Sequence, residues 1–189
     1  MDAAQAREHI EMIERILAES HPRLCAGGEF FVVWGIASAY LTVLFELVAQ
    51  GAVPVVAEWS AAIVLLGAVL YTGLRGRALG RTLARTSLVQ REFFNVLWIT
   101  IGLAFIVNVA AFRIFPGIAS AGIWSVAEAI VLLYIGMHGN RRAQFAGALV
   151  VASIVVANFL APALSAYVLA AGMLAGYTGF GLSELLARD

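Results

Sequence analysis

Long apolar runs alternate with short polar breaks along most of this chain. Six runs fall at about 29–50, 55–74, 93–113, 117–138, 143–161 and 163–183. Each approaches the ~20 residues that a helix needs to cross a ~30 Å hydrocarbon core. The fifth is the shortest, and Pro162 leaves almost no loop between it and the sixth. The pattern predicts an all-α integral membrane protein with six transmembrane helices. Residues 29–189 form the bundle, and residues 1–28 form a helix and hinge before it.

The runs also repeat. Glu29-Phe30-Phe31 recurs as Glu92-Phe93-Phe94, and Tyr71-x-Gly73 recurs as Tyr134-x-Gly136, both 63 residues apart. Gln144-Phe145 and Tyr177 echo them more weakly. Pro54, Pro116 and Pro162 mark the turns between the paired runs. Three tandem hairpins are expected, at about 29–74, 93–138 and 143–183. Since each repeat unit is one hairpin, the copies keep one orientation across the membrane. The hairpins could close into a pseudo-three-fold ring or pack irregularly. Each Tyr-x-Gly is expected at a cytoplasmic helix end, with Tyr in the interfacial belt and Gly ending the helix.

Charge placement supplies the orientation. All twelve basic residues are Arg. Arg7, Arg15, Arg23, Arg75, Arg77, Arg81, Arg85, Arg91, Arg141, Arg142 and Arg188 fall on one side of a six-span model, and Arg113 on the other. That asymmetry predicts cytoplasmic N and C termini in a cytoplasmic, or inner, membrane.

Composition agrees: 62% of residues are hydrophobic, 13% are charged, and the mean hydropathy is +0.91. A soluble domain carries roughly 25% charged residues. The absence of Lys excludes Schiff-base chemistry. Cys25 is single, and His9, His21 and His138 lack metal-ligand spacing. No metal, cofactor or catalytic constellation is expected. The polar first 28 residues do not read as a secretory signal.

Residues 2–20 read as an amphipathic cytoplasmic helix whose apolar stripe includes Ile10, Ile13 and Leu17. Residues 1–28 hold five acids against three Arg. Helices that lie on anionic lipid are usually basic, so this stripe is expected on protein: its own bundle, a second copy, or a partner. Arg77, Arg81 and Arg85 share one helical face in the 75–91 segment. They are candidates for lipid phosphates, or act simply as topology determinants. Nucleic-acid binding is not expected, since the segment is short and lacks interleaved aromatics.

Polar groups inside the runs are the functional candidates. Glu128 sits near the middle of the fourth and breaks the repeat, its counterpart in the second run being apolar. It could carry a proton, hold a cation or bond a neighbouring helix. Glu46, Asn108 and Asn158 stand at comparable heights in the three odd-numbered runs, with Glu58 and Arg113 nearby. These would line an outer vestibule in an open ring, or tie helices together in a closed bundle. Gly172 and Gly176 have the spacing that lets helices approach closely, within the bundle or between copies. The expected function is that of a non-catalytic subunit, scaffold or regulator in a membrane assembly, acting through the N-terminal helix. The alternative is a small transporter or channel for a proton, cation or small solute, using Glu128.

Overall fold

The computed structural model describes Met12 and residues 27–82, 88–111 and 118–187, and every described element is helical. Six main helices appear in the expected order. They are α1 (Gly28–Ala49), α2 (Glu58–Thr82), α3 (Leu88–Ala111), α4 (Ile118–Met137), α5 (Arg141–Ala157) and α6 (Pro162–Met173). A π-helical turn, Leu174–Thr178, carries α6 into α7 (Gly179–Leu186), making one long rod. The expected N-terminal helix, with Ile10, Ile13 and Leu17, lies outside the described residues.

Local chemistry explains the turns. Gly51 takes φ +70° after α1, and Pro54 precedes a single 3-10 turn, Val55–Ala57, that leads into α2. Gly139 takes φ +95° between α4 and α5, a conformation that favours glycine. Asn140 then caps α5, its side chain accepting from the Ala143 N–H at 3.1 Å. Pro162 opens α6 at a position where its missing N–H has no intrahelical partner to lose.

Two boundary expectations change. Gly73 does not end α2, which continues through Arg77 to Thr82. The Arg-bearing segment is therefore in part a straight extension of a bundle helix. Exposed Arg75 and Arg77 are compatible with helix there, and Gly73 and Gly76 cost only about 1 kcal/mol each. At the fourth run, Gly139, not Gly136, provides the left-handed residue beyond the helix end. At the third Tyr, the chain continues through the π turn.

Four stretches are long and apolar enough to cross a membrane: Gly28–Ala49, Val55–Ala78, Ser120–Met137 and Ala163–Leu186. Asn95–Val109 is apolar but shorter. Helix α5, at 17 residues, spans about 25 Å.

The helices form two tiers. Helices α1, α4, α5 and the α6–α7 rod pack against one another as a central group. Helix α2 lies chiefly on α1, and α3 chiefly on α4. The core runs through Phe31, Leu132, Ile135, Val150, Leu169, Met173, Tyr177 and Phe180. Phe31 meets Tyr177 at a tilt and Phe180 edge-to-face, with ring centroids 5.0 Å apart in each pair. Helices α2 and α3 instead expose large apolar side chains, including Trp59, Ile63, Leu66, Trp98, Phe105 and Ile106.

Small residues set the spacing of the central group. A Cβ on Gly136 would meet the Gln144 backbone, and one on Gly176 would meet Val150 and the Ala146 carbonyl. Gly172 faces Ser153, while Gly181 faces Gly28 and Val32. The small-residue face of the last span thus packs within the bundle.

Candidate functional site

The centre of the bundle is a small polar cluster inside an apolar wall. Glu128 projects from α4 into this centre and is only 8% exposed. Ser38 of α1 lies beside it. Tyr177, in the π turn, lies close enough for its phenol to interact electrostatically with the carboxyl group. The second carboxyl oxygen, Oε2, is buried without a hydrogen-bond partner.

Thr178 stands beside Tyr177, and its Oγ1 is likewise buried without a partner. Its hydroxyl faces Gly35 on α1, where a Cβ would collide with it. Gly35 and Ser38 are three residues apart on a helix, so they share a face one turn apart. One face of α1 therefore meets Thr178 at Gly35 and Glu128 at Ser38. A turn further on, Thr42 donates to the Ser38 carbonyl at 2.9 Å and lies 3.6 Å from the Met173 sulfur.

The π turn is the unusual backbone feature here. Such turns insert an extra residue and occur frequently at functional sites. In an α-helix, a Thr hydroxyl can bond the carbonyl a turn earlier, as Thr42 and Thr72 do. Thr178, at the end of the π turn, has no such bond.

The other sequence candidates are dispersed. Glu46 accepts from Gln50, the residue that caps its own helix, at 2.8 Å. Asn108 accepts from Ser120 at 2.5 Å, joining α3 to α4. Asn158 is exposed and donates to the Ile154 carbonyl at 2.9 Å. Each is engaged with a different neighbour, and their helices share no substantial packing. Glu58 is exposed on an open groove with Val55, Val56, Trp59 and Ala62. Arg77 is exposed near the end of α2. Arg81 lies in the same helix, with its side chain outside the described part, and Arg85 and Arg113 lie outside the described residues.

Two further polar groupings occupy the end of the bundle expected to be cytoplasmic. Glu29 accepts from Arg75 Nε at 2.7 Å and from the Tyr71 hydroxyl at 3.2 Å, closing the first hairpin. Glu184 is buried and accepts from Asn140 Nδ2 at 3.2 Å, while Arg142 donates to the Ser183 carbonyl at 3.0 Å. These tie α7 to the start of α5.

Sequence reading singled out Glu128 but missed Ser38, Tyr177 and Thr178. Ser38 lies among small residues, and Thr178 lies inside the glycine-rich run of the last span. Both had the appearance of packing positions. The signal available was periodicity: Gly35, Ser38 and Thr42 form one small and polar stripe on α1.

Comparison with protein-family models, with curated proteins and with solved structures finds no match for this chain.

Proposed function

We propose that this chain is an integral protein of the cytoplasmic membrane, with six spans in three hairpin repeats and both termini in the cytoplasm. It serves as a non-catalytic subunit, scaffold or regulator of a membrane assembly. The observation that carries this reading is the tightly packed centre. Leu132, Ile135, Leu169 and Met173 are almost wholly buried, and glycine contacts hold α1, α4, α5 and the α6–α7 rod at close range. A packed interior suits a protein that anchors and organises more than one that conducts. Exposed apolar residues on α2 and α3 add support, because lipid or another membrane protein is their natural solvent.

The N-terminal acidic helix is the proposed partner-binding element. Gentle solubilisation followed by co-purification tests the assignment. A stable partner or homo-oligomer that disappears on deletion of residues 1–20 is the expected result. A lone protomer, unaffected by that deletion, would sink it.

The unpaired oxygen of Glu128 favours a second reading, a small proton- or cation-coupled transporter. Proteoliposome flux measurements with Glu128→Gln decide between them. Solute or proton flux lost in the variant supports transport, and flux that persists removes Glu128 from the pathway.

A further inference from the structure

We propose that the exposed face of α5 docks an anionic phospholipid, with its phosphate between Arg141 and Arg142 and an acyl chain along Phe145 and Leu149. The inference rests on reading the chain as a membrane protein with this end at the cytoplasmic surface. It names the lipid class that such a protein would hold.

Helix α5 has two unlike faces. Ala143, Ala146, Gly147, Val150 and Ala157 are buried. Arg141, Arg142, Phe145, Leu149, Ala152 and Val156 are exposed. Successive residues of an α-helix turn by about 100° around its axis. With Arg141 as the origin, Arg142 stands at about 100°, Phe145 at about 40° and Leu149 at about 80°. Ala152 and Val156 follow at about 20° and 60°. The two Arg positions therefore bracket a strip that is apolar for the rest of the helix. The buried residues occupy the opposite side, at about 140–240°.

The strip has the dimensions of a lipid. Phe145 is 76% exposed and Leu149 37%. They lie about 6 and 12 Å beyond Arg141 along the axis, within the ~15 Å depth of one leaflet's hydrocarbon. A head group at the helix start and a chain along the strip suit one phospholipid.

The protein leaves this charge unmatched. Arg75 meets Glu29 at 2.7 Å. Among the described residues, neither Arg141 nor Arg142 has a carboxylate within ion-pair distance. Glu184, on neighbouring α7, is buried and accepts from Asn140. Arg142 donates to the Ser183 carbonyl at 3.0 Å, which holds its side chain beside α7 and leaves further N–H donors free. Paired guanidinium N–H groups match the oxygens of a phosphate. Anionic lipids of the cytoplasmic leaflet attract basic residues at the membrane surface. An acidic peptide would answer the charge but not the apolar strip, which leads away from the surface into hydrocarbon.

Two measurements on the full-length protein test the site. In phosphatidylcholine nanodiscs doped with phosphatidylglycerol bearing a photoactivatable acyl chain, the label should map to α5 around Phe145 and Leu149. In native mass spectrometry, phosphatidylglycerol should be retained roughly twenty-fold over phosphatidylcholine of the same chains. Arg141→Gln and Arg142→Gln should each lower that preference about five-fold. Arg141→Lys and Arg142→Lys should keep most of it. Arg77→Gln, on the exposed end of α2, should leave it unchanged. Equal retention of the two lipids, a label elsewhere, or an equal loss in Arg77→Gln overturns the proposal. Lipid that binds only after deletion of residues 1–20 also overturns it, in favour of the acidic N-terminal segment as occupant. Displacement by glycerol phosphate overturns it in favour of a soluble anion. Protein that fails to enter nanodiscs defeats the membrane reading as well, whereas the other adverse results defeat this proposal alone.

Discussion

The same substitution at Gly73 and Gly136 should have opposite effects, although both glycines stand in Tyr-x-Gly sequences 63 residues apart. A Cβ on Gly136 would lie 2.7 Å from Gln144 Cα, 2.7 Å from its Cβ and 2.8 Å from its backbone nitrogen. Ordinary carbon contacts begin near ~3.5 Å, so α4 and α5 must part by the better part of an ångström. Two of the three obstructing atoms are backbone and cannot rotate away. Overpacking of this kind costs about 1–3 kcal/mol. Leu132, Ile135, Ala143, Ala146 and Val150 line the neighbouring core and would lose contact together, which argues for the upper part of that range. Alanine returns up to about 1 kcal/mol through helix propensity. Gly136→Ala should therefore lose about 1–2 kcal/mol net. At Gly73 nothing lies within 4 Å of the added Cβ, so Gly73→Ala should be neutral or gain up to about 1 kcal/mol. Thermal or denaturant unfolding in matched micelles measures both. For a protein of this size the pair should be separated by roughly 2–12 °C in Tm. A Gly136→Ala variant as stable as the wild type would refute the packing argument. Equal losses at both sites would show that the two glycines are packed alike.

Asn140→Ala removes both the cap on Ala143 and the bond to Glu184, and should cost about 2 kcal/mol. Asn140→Asp retains a cap but brings a second carboxylate to Glu184, so a larger Tm loss is expected at neutral pH. Gly139→Ala forces a non-glycine residue to φ +95° and should lower stability by about 1–2 kcal/mol in the same unfolding assay. Arg75→Ala should leave Tm almost unchanged, since its ion pair with Glu29 lies at the surface; a clear loss that fades with added salt would show that the clamp is structural.

Much of the helical plan was legible from residue pattern alone. Six apolar runs became six main helices, and the turns at Pro54 and Pro162 stand where the sequence placed them. Helix ends were harder to read. Tyr71-x-Gly73 resembled a stop, yet α2 runs on, because a glycine on an exposed helix face is only a weak penalty. The real stop near Tyr134 is Gly139, recognisable only by a positive φ that sequence does not announce. Glu128 was legible because an acid in a long apolar run is conspicuous. Its neighbours were not, because Ser38 and Thr178 are common in tightly packed helices, and their meeting depends on which helices become neighbours. The vestibule suggested by Glu46, Asn108 and Asn158 rested on equal height. Height along a helix does not determine the direction a side chain takes around it.

The arrangement of the helices explains why Glu128 has no counterpart. In the first hairpin the leading helix, α1, joins the centre and the returning helix, α2, lies outside. In the second hairpin the order is reversed: α3 lies outside and α4 joins the centre. Positions 63 residues apart in the two hairpins therefore face different surroundings. Counting back 63 residues from Glu128 gives Leu65, which is 39% exposed on outer α2. A carboxyl there would stand on an outer helix among exposed apolar side chains such as Ile63 and Leu66, and an aliphatic side chain matches those neighbours. At position 128 the same register faces Ser38 and Tyr177, where a polar group can be held. Gly73 and Gly136 diverge for the same reason, one facing open space and the other a neighbouring backbone. The specific chemistry of each hairpin follows from which of its helices occupies the centre. That places the search for activity on the inner faces of α1, α4 and the π turn, where Glu128 and Thr178 remain unpaired.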